Sequence, residues 1–164
     1  MNRTQNIKGF TIIEVVLVLA IAGLIFLMVF IALPALQAGQ RDTARRSDVS
    51  NVASAVTSYV SSNRGNFPAA NATSLDSVLG AQGSGNTKSY NSLSNNISSV
   101  TVVTGGNTTI EAGVSDGVIT VYTKMKCNPT PNNTGTTSSI VPGTARQFAV
   151  ITKLEGGSGT GYCL

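Results

Sequence analysis

The sequence predicts an α+β protein: a long N-terminal α-helix, hydrophobic in its first half, packed on a C-terminal antiparallel β-sheet of about four strands. Three patterns predict it. Residues 10–36 are apolar apart from Thr11 and Glu14. Residues 37–63 repeat valine and alanine at helical spacing. From residue 99 onward, β-branched and aromatic residues alternate with polar ones in short runs bounded by Gly, Asn and Pro.

Residues 1–9 are short, polar and basic, and Arg3 and Lys8 hold this end in the cytoplasm by the positive-inside bias. Residues 10–36 hold eighteen Leu, Ile, Val or Phe. At about −0.3 to −0.6 kcal/mol each at mid-membrane they sum to about −5 to −11 kcal/mol, an upper bound because the ends count less. One carboxylate near the end costs at most about 3 kcal/mol, so insertion wins and Glu14 is carried into or beside the membrane. An acid there requires a partner. The rival is an ordinary secretory signal cut near Ala38; against it, the apolar run is too long and Leu36 is a poor residue before a cut. Gly23 and Pro34 are the weak points of the helix.

Residues 37–63 change character. Arg41, Asp42, Arg45, Arg46 and Asp48 mark the membrane exit, with Asp42 and Arg46 four apart as a helical pair. The cluster reads as lipid-headgroup anchoring or as contact with an acidic patch on a neighbouring subunit. Val49, Val52, Ala53, Val56 and Val60 then form one apolar face, flanked by Tyr59. One helix over residues 10–63 would be roughly 80 Å long if straight. Gly65 serves as its C-cap and Pro68 lies just beyond.

Residues 64–98 connect helix to sheet and read as loop-rich, with a short helix around residues 74–79. Residues 99–104 and 108–112 read as a hairpin turned by Gly105-Gly106-Asn107. Residues 117–127 read as one strand, with Ile119, Val121, Met125 and Cys127 on the covered face. Residues 128–144 read as a long loop and 146–155 as the last strand, with Phe148, Val150 and Leu154 on one face. Residues 156–161 are glycine-rich and read as flexible.

Composition narrows the function. The chain has no His, which removes the commonest catalytic base and metal ligand. No nucleophile is paired with a base, and no metal-ligand cluster, nucleotide-binding loop or cofactor motif appears, so an enzyme is not expected. Without Arg3 and Lys8 the net charge falls from +4 to about +2, which only weakly suggests nucleic acid as a partner.

The string Gly9-Phe10-Thr11-Ile12-Ile13-Glu14, behind a short basic leader and ahead of a long apolar helix, resembles the class III signal of bacterial type IV pilins and related pseudopilins. The resemblance covers about the first sixty-eight residues well. It implies the pilin fold, cleavage by a prepilin peptidase between Gly9 and Phe10, and N-methylation of Phe10. It divides the chain into a leader (1–9), a transmembrane and filament-core helix (10–36), the amphipathic half of that helix (37–63), a connecting region (64–98) and a sheet with a C-terminal disulfide loop (99–164). Glu14 falls where the family has its glutamate, and a neighbour's Phe10 ammonium is a natural counter-charge for it in a filament of packed helices. In the family, helix-breaking residues in this region let the helix bend or locally melt inside the filament, which the resemblance implies for Gly23 and Pro34; the alternative is a mild kink at Pro34 with no role in assembly. Cys127 and Cys163, in an exported domain, read as one disulfide, as in many pilins, with two reduced thiols as the alternative.

The implied function is a structural subunit of a type IV pilus serving motility, adhesion or DNA uptake. Its implied partners are identical subunits, the peptidase, the inner-membrane assembly machinery and minor pilins. The precursor would cross the inner membrane once with its N-terminus inside, and the assembled filament would be extracellular. The alternatives are a minor pilin or pseudopilin of a type II secretion or competence system, and a monomeric membrane-anchored extracellular binding domain.

Overall fold

The computed structural model describes residues 9–70, 73–82, 89–95, 97–129, 137–156 and 161–164; the remaining leader residues, 1–8, lie outside the described residues. The chain divides into two units, Met1–Gln37 and Ala38–Leu164. One helix, α1, spans Ile12–Ser62 and so contributes to both.

The second half of α1 buries Val49, Val52, Ala55 and Val56, three of them from the valine stripe. Ser54, Thr57, Ser61 and Ser62 return their hydroxyls to the carbonyls four residues earlier, at 2.9–3.0 Å. That bonding explains how a helix so rich in Ser and Thr keeps its outer face satisfied. The helix stops in a Schellman turn, with the Gly65 amide donating to the Val60 carbonyl at 2.8 Å. The left-handed residue at the turn position is Arg64 (φ 57°), followed by Gly65 (φ 85°). The expected C-cap is therefore displaced by one residue, onto a side chain that strains there.

Helix α2 (Thr73–Leu79) follows, close to the expected 74–79. Two short strands, β1 (Ala81–Gln82) and β2 (Ser89–Tyr90), pair antiparallel. The larger strands are β3 (Ser99–Thr104), β4 (Ile110–Gly113), β5 (Val118–Thr123), β6 (Met125–Cys127), β7 (Thr137–Pro142), β8 (Phe148–Lys153) and β9 (Gly161–Cys163). They build a four-stranded sheet, β3-β5-β8-β9, and a three-stranded sheet, β4-β7-β6. The α+β class and the antiparallel-rich sheet of about four strands stand, although β3 runs parallel to β5.

The expected hairpin over 99–112 does not form. β3 pairs with β5 in one sheet while β4 pairs with β7 in the other. Gly105 is needed for close approach: its amide donates to the Thr123 carbonyl at 2.9 Å. A Cβ there would come within 2.1 Å of Met125 Cγ. The expected single strand over 117–127 breaks at Lys124, whose φ is 60°. Its amide donates to the Gln147 carbonyl at 2.8 Å and its carbonyl accepts from the Gly143 amide at 2.9 Å. The chain thereby leaves one sheet at Thr123 and enters the other at Met125, so Met125 does not continue the Ile119 and Val121 face.

Two further expectations are corrected. The long loop over 128–144 contains β7, whose Ser139 and Ile140 are buried. Its Ser-rich sequence hides the strand, because a small hydroxyl residue fills an inward position. Gly161, placed in the flexible tail, begins β9, which pairs with β8 from Ile151 to Lys153; residues 157–160 lie outside the described residues.

The core has two parts. Val49, Val52 and Val56 of α1 pack with Leu75, Leu79, Val100, Ile119, Val121 and Val150. On the other side of β8, Ala149 and Ile151 pack with Ala112, Met125 and Ile140. Fully burying a side chain of this size contributes about 1.5–3 kcal/mol, so the helix stripe is a principal source of stability for the sheet it covers.

Candidate functional site

The first unit offers its chemistry at the start of α1. Thr11 is the N-cap and Glu14 the third helical residue. The Thr11 amide and hydroxyl each donate to Glu14 Oε2 at 2.9 Å, and the Glu14 amide faces Thr11 Oγ1 at 3.4 Å. This is a capping box, which ties off helix-end amides and sets a carboxylate at the positive end of the helix dipole. Among the described residues no cation pairs with Glu14. Its charge is held by hydrogen bonds from Thr11 and stands without a counter-charge among the described residues. The Thr-x-x-Glu spacing was visible in the sequence, and it assigns Thr11 a role that the sequence reading did not give it.

Gly9 and Phe10 precede the helix, and Phe10 is 89% exposed. The Leu, Ile, Val and Phe side chains of residues 10–36 are all exposed, from 44% at Leu33 to 89% at Phe10. A surface of this kind requires lipid or protein cover. The helix is long and apolar enough to cross a membrane. It runs unbroken through Gly23 and Pro34. A Cβ on Gly23 would meet nothing within 4 Å, and Pro34 has no amide to give the preceding turn.

The second unit uses the charges at 41–48 for internal contacts. Arg45, 5% exposed, donates to the Lys153 carbonyl at 2.7 Å and to Glu155 Oε1 at 2.7 Å, and stands 3.6 Å from Asp116. Arg41 meets the other Glu155 oxygen at 2.9 Å. Asp42 accepts from the Glu155 amide at 2.6 Å and the Gly156 amide at 2.8 Å. Asp48 accepts from the Ser94 amide and hydroxyl, and Arg46 lies 5.6 Å above the Tyr162 ring. Lys153 bonds Asp116 at 2.9 Å and holds its carboxyl below the ordinary value of 3.8. Arg41 and Arg45 thus find their acids on the same chain, and Asp42 bonds backbone amides instead of pairing with Arg46. The sequence could not place Glu155 beside Arg45, because 110 positions separate them.

Cys127 of β6 and Cys163 of β9 form a disulfide with Cα atoms 5.9 Å apart, joining the two sheets. Among the described residues no group of three or more His, Cys, Asp or Glu side chains converges to hold a metal.

Residues 4–30 match the prokaryotic N-terminal methylation motif, the class III signal of prepilin-type proteins. The match takes in Gly9, Phe10, Thr11, Glu14 and Gly23 and stops within the apolar part of α1. That motif and the long apolar helix fit a membrane-anchored precursor. No curated protein and no solved structure matches the chain.

Proposed function

We propose that the chain is a type IV pilin, a structural subunit that assembles into an extracellular filament through its N-terminal helix. One observation carries the reading: the methylation motif lies on a helix whose large apolar side chains are exposed throughout residues 10–36. Prepilin peptidase would cut between Gly9 and Phe10 and methylate Phe10. The new ammonium would then lie within reach of a neighbouring copy's Glu14, which has hydrogen bonds but no cation of its own among the described residues. Pairing would offset the cost of burying both charges and fix the axial register of an incoming subunit. Gly23 and Pro34 would let the helix bend or locally melt in the packed filament, since each weakens the backbone ladder.

The inner-membrane assembly machinery supplies the driving energy in this reading, and identical subunits are the main partners. The Glu14 carboxylate favours an ordinary assembling subunit over an initiating minor subunit that lacks it. Motility, adhesion and DNA uptake are all roles open to such a filament. The test is negative-stain microscopy and mass spectrometry of material sheared from cells. The expected result is filaments whose subunits begin at an N-methylated Phe10. An uncut chain that stays in the membrane as a monomer would instead support an anchored binding domain.

A further inference from the structure

A cleft of about 410 Å³ opens in the second unit, where the chain leaves α1. Its wall on one side is the segment from Gly65 to Ala70; on the other are Thr104, Lys124 and Arg146. The charged residues lining it are both cations, Lys124 and Arg146. Both are exposed, and among the described residues neither meets a carboxylate. Four of the acids of this unit are used elsewhere: Glu155 with Arg41 and Arg45, Asp42 with the Glu155 and Gly156 amides, Asp116 with Lys153, and Asp48 with Ser94. A concave wall with one sign of charge focuses its field on an incoming anion.

The backbone gives a second, independent sign. Lys124 is held at φ 60°, a conformation that side chains rarely adopt and glycine adopts freely. Bonds to Gln147 and Gly143 fix that conformation. The crossing between the two sheets thus fixes where Lys124 stands on the cleft wall. Arg146 is fixed as well. It lies in a turn closed by the Gln147 amide donating to the Thr144 carbonyl at 3.0 Å and by the Thr144 amide donating to Gln147 Oε1 at 2.8 Å.

The volume greatly exceeds that of a bare oxyanion and falls in the usual range for a small-molecule site, about 300–1,000 Å³. The rest of the lining suits a hydroxylated ring. Asn66 and Thr104 offer neutral polar groups, and Phe67 offers an apolar surface anchored edge-on to Phe148 with centroids 6.0 Å apart. We infer that this cleft binds an acidic sugar of the uronic-acid type. Arg146 takes the carboxylate through its planar fork, Lys124 adds a point charge, and the ring lies toward Phe67. The site lies wholly in the second unit and does not depend on filament assembly.

The test is calorimetric titration of the full chain in a polyoxyethylene detergent at low salt, with glucuronate, glucose and inorganic phosphate as separate probes. Glucuronate is expected to bind in about the millimolar range, with glucose undetectable and phosphate weaker. Arg146→Gln and Lys124→Gly should each weaken glucuronate by about tenfold. Lys124→Gly should also keep or raise the unfolding temperature, because it relieves the strained φ. Lys126→Ala removes the same charge at an exposed position outside the cleft and should leave binding unchanged. Four results would each overturn the assignment: no glucuronate binding, glucose binding equal to glucuronate, phosphate binding equal to glucuronate, or a loss in Lys126→Ala as large as in Lys124→Gly.

Discussion

The Arg45 guanidinium lies 2.7 Å from the Glu155 carboxylate, with 5% of the Arg45 side chain exposed against 26% of Glu155. The arginine is the more deeply committed partner, so removing the acid harms more than its own burial suggests. Glu155→Ala would leave a buried cation with the Lys153 carbonyl and the exposed Asp116, 3.6 Å away, for company. The expected loss is about 2–4 kcal/mol, somewhat below that of a fully buried pair. Glu155→Gln keeps an acceptor and should lose less. Urea unfolding of the full chain in detergent reads both; a change near zero for Glu155→Ala would remove the clamp from the account of stability.

The disulfide closes a loop of sequence separation 36 between the two sheets. On the chain-entropy model such a link contributes about 3–4 kcal/mol by restricting the unfolded chain. Replacing both Cys127 and Cys163 with Ser should lower the unfolding midpoint accordingly, and reductant should reproduce the effect in the native chain. If reductant left the midpoint in place, the bridge would be thermodynamically idle.

Arg64 occupies the left-handed position that ends α1, a place glycine fills at lower cost. Arg64→Gly should stabilise the second unit by about 0.5–1 kcal/mol, the relief of strain exceeding the extra entropy of the unfolded chain. Thermal unfolding measures it. A drop in midpoint would mean that the arginine side chain makes up for its backbone.

Glu14 has two separable properties, a hydrogen-bonding oxygen and a charge. Glu14→Gln keeps the capping box, because glutamine serves in that position, and removes the charge. Glu14→Ala removes both and should cost the helix end about 1 kcal/mol, while leaving membrane insertion intact. On the filament reading, both variants insert and both assemble poorly. Normal filaments from Glu14→Gln, counted by microscopy of sheared material, would rule out the charge as the element that sets register.

The helix was legible because its signals are local. The apolar run, the valine stripe and the Gly65 and Pro68 stop lie within a few turns of the structure they specify, and the boundaries Ile12–Ser62 fall within two residues of the expected 10–63. The sheets were legible as strands but not as partners. Gly105-Gly106-Asn107 has the composition of a hairpin turn, yet the close contact with Met125 decides its use, and Met125 arrives from another sheet. Lys124 was hidden because alternation continues on both sides of it, and nothing in its side chain announces a left-handed backbone. β7 was hidden because Ser139 is buried, a placement that hydropathy does not anticipate. At the N-terminus, the acid and the cleavage motif were legible. The Thr11 partner was readable as well, from the Thr-x-x-Glu spacing of a capping box.

Strand β8 has Val150 in one apolar cluster and Ala149 and Ile151 in the other. Opening either side therefore strips cover from the same six residues, Phe148–Lys153, and their ladder to β5 loosens with them. The helix-covered layer and the small outer sheet would lose their protection against hydrogen exchange together, as one cooperative block, with β8 amides among the last to exchange.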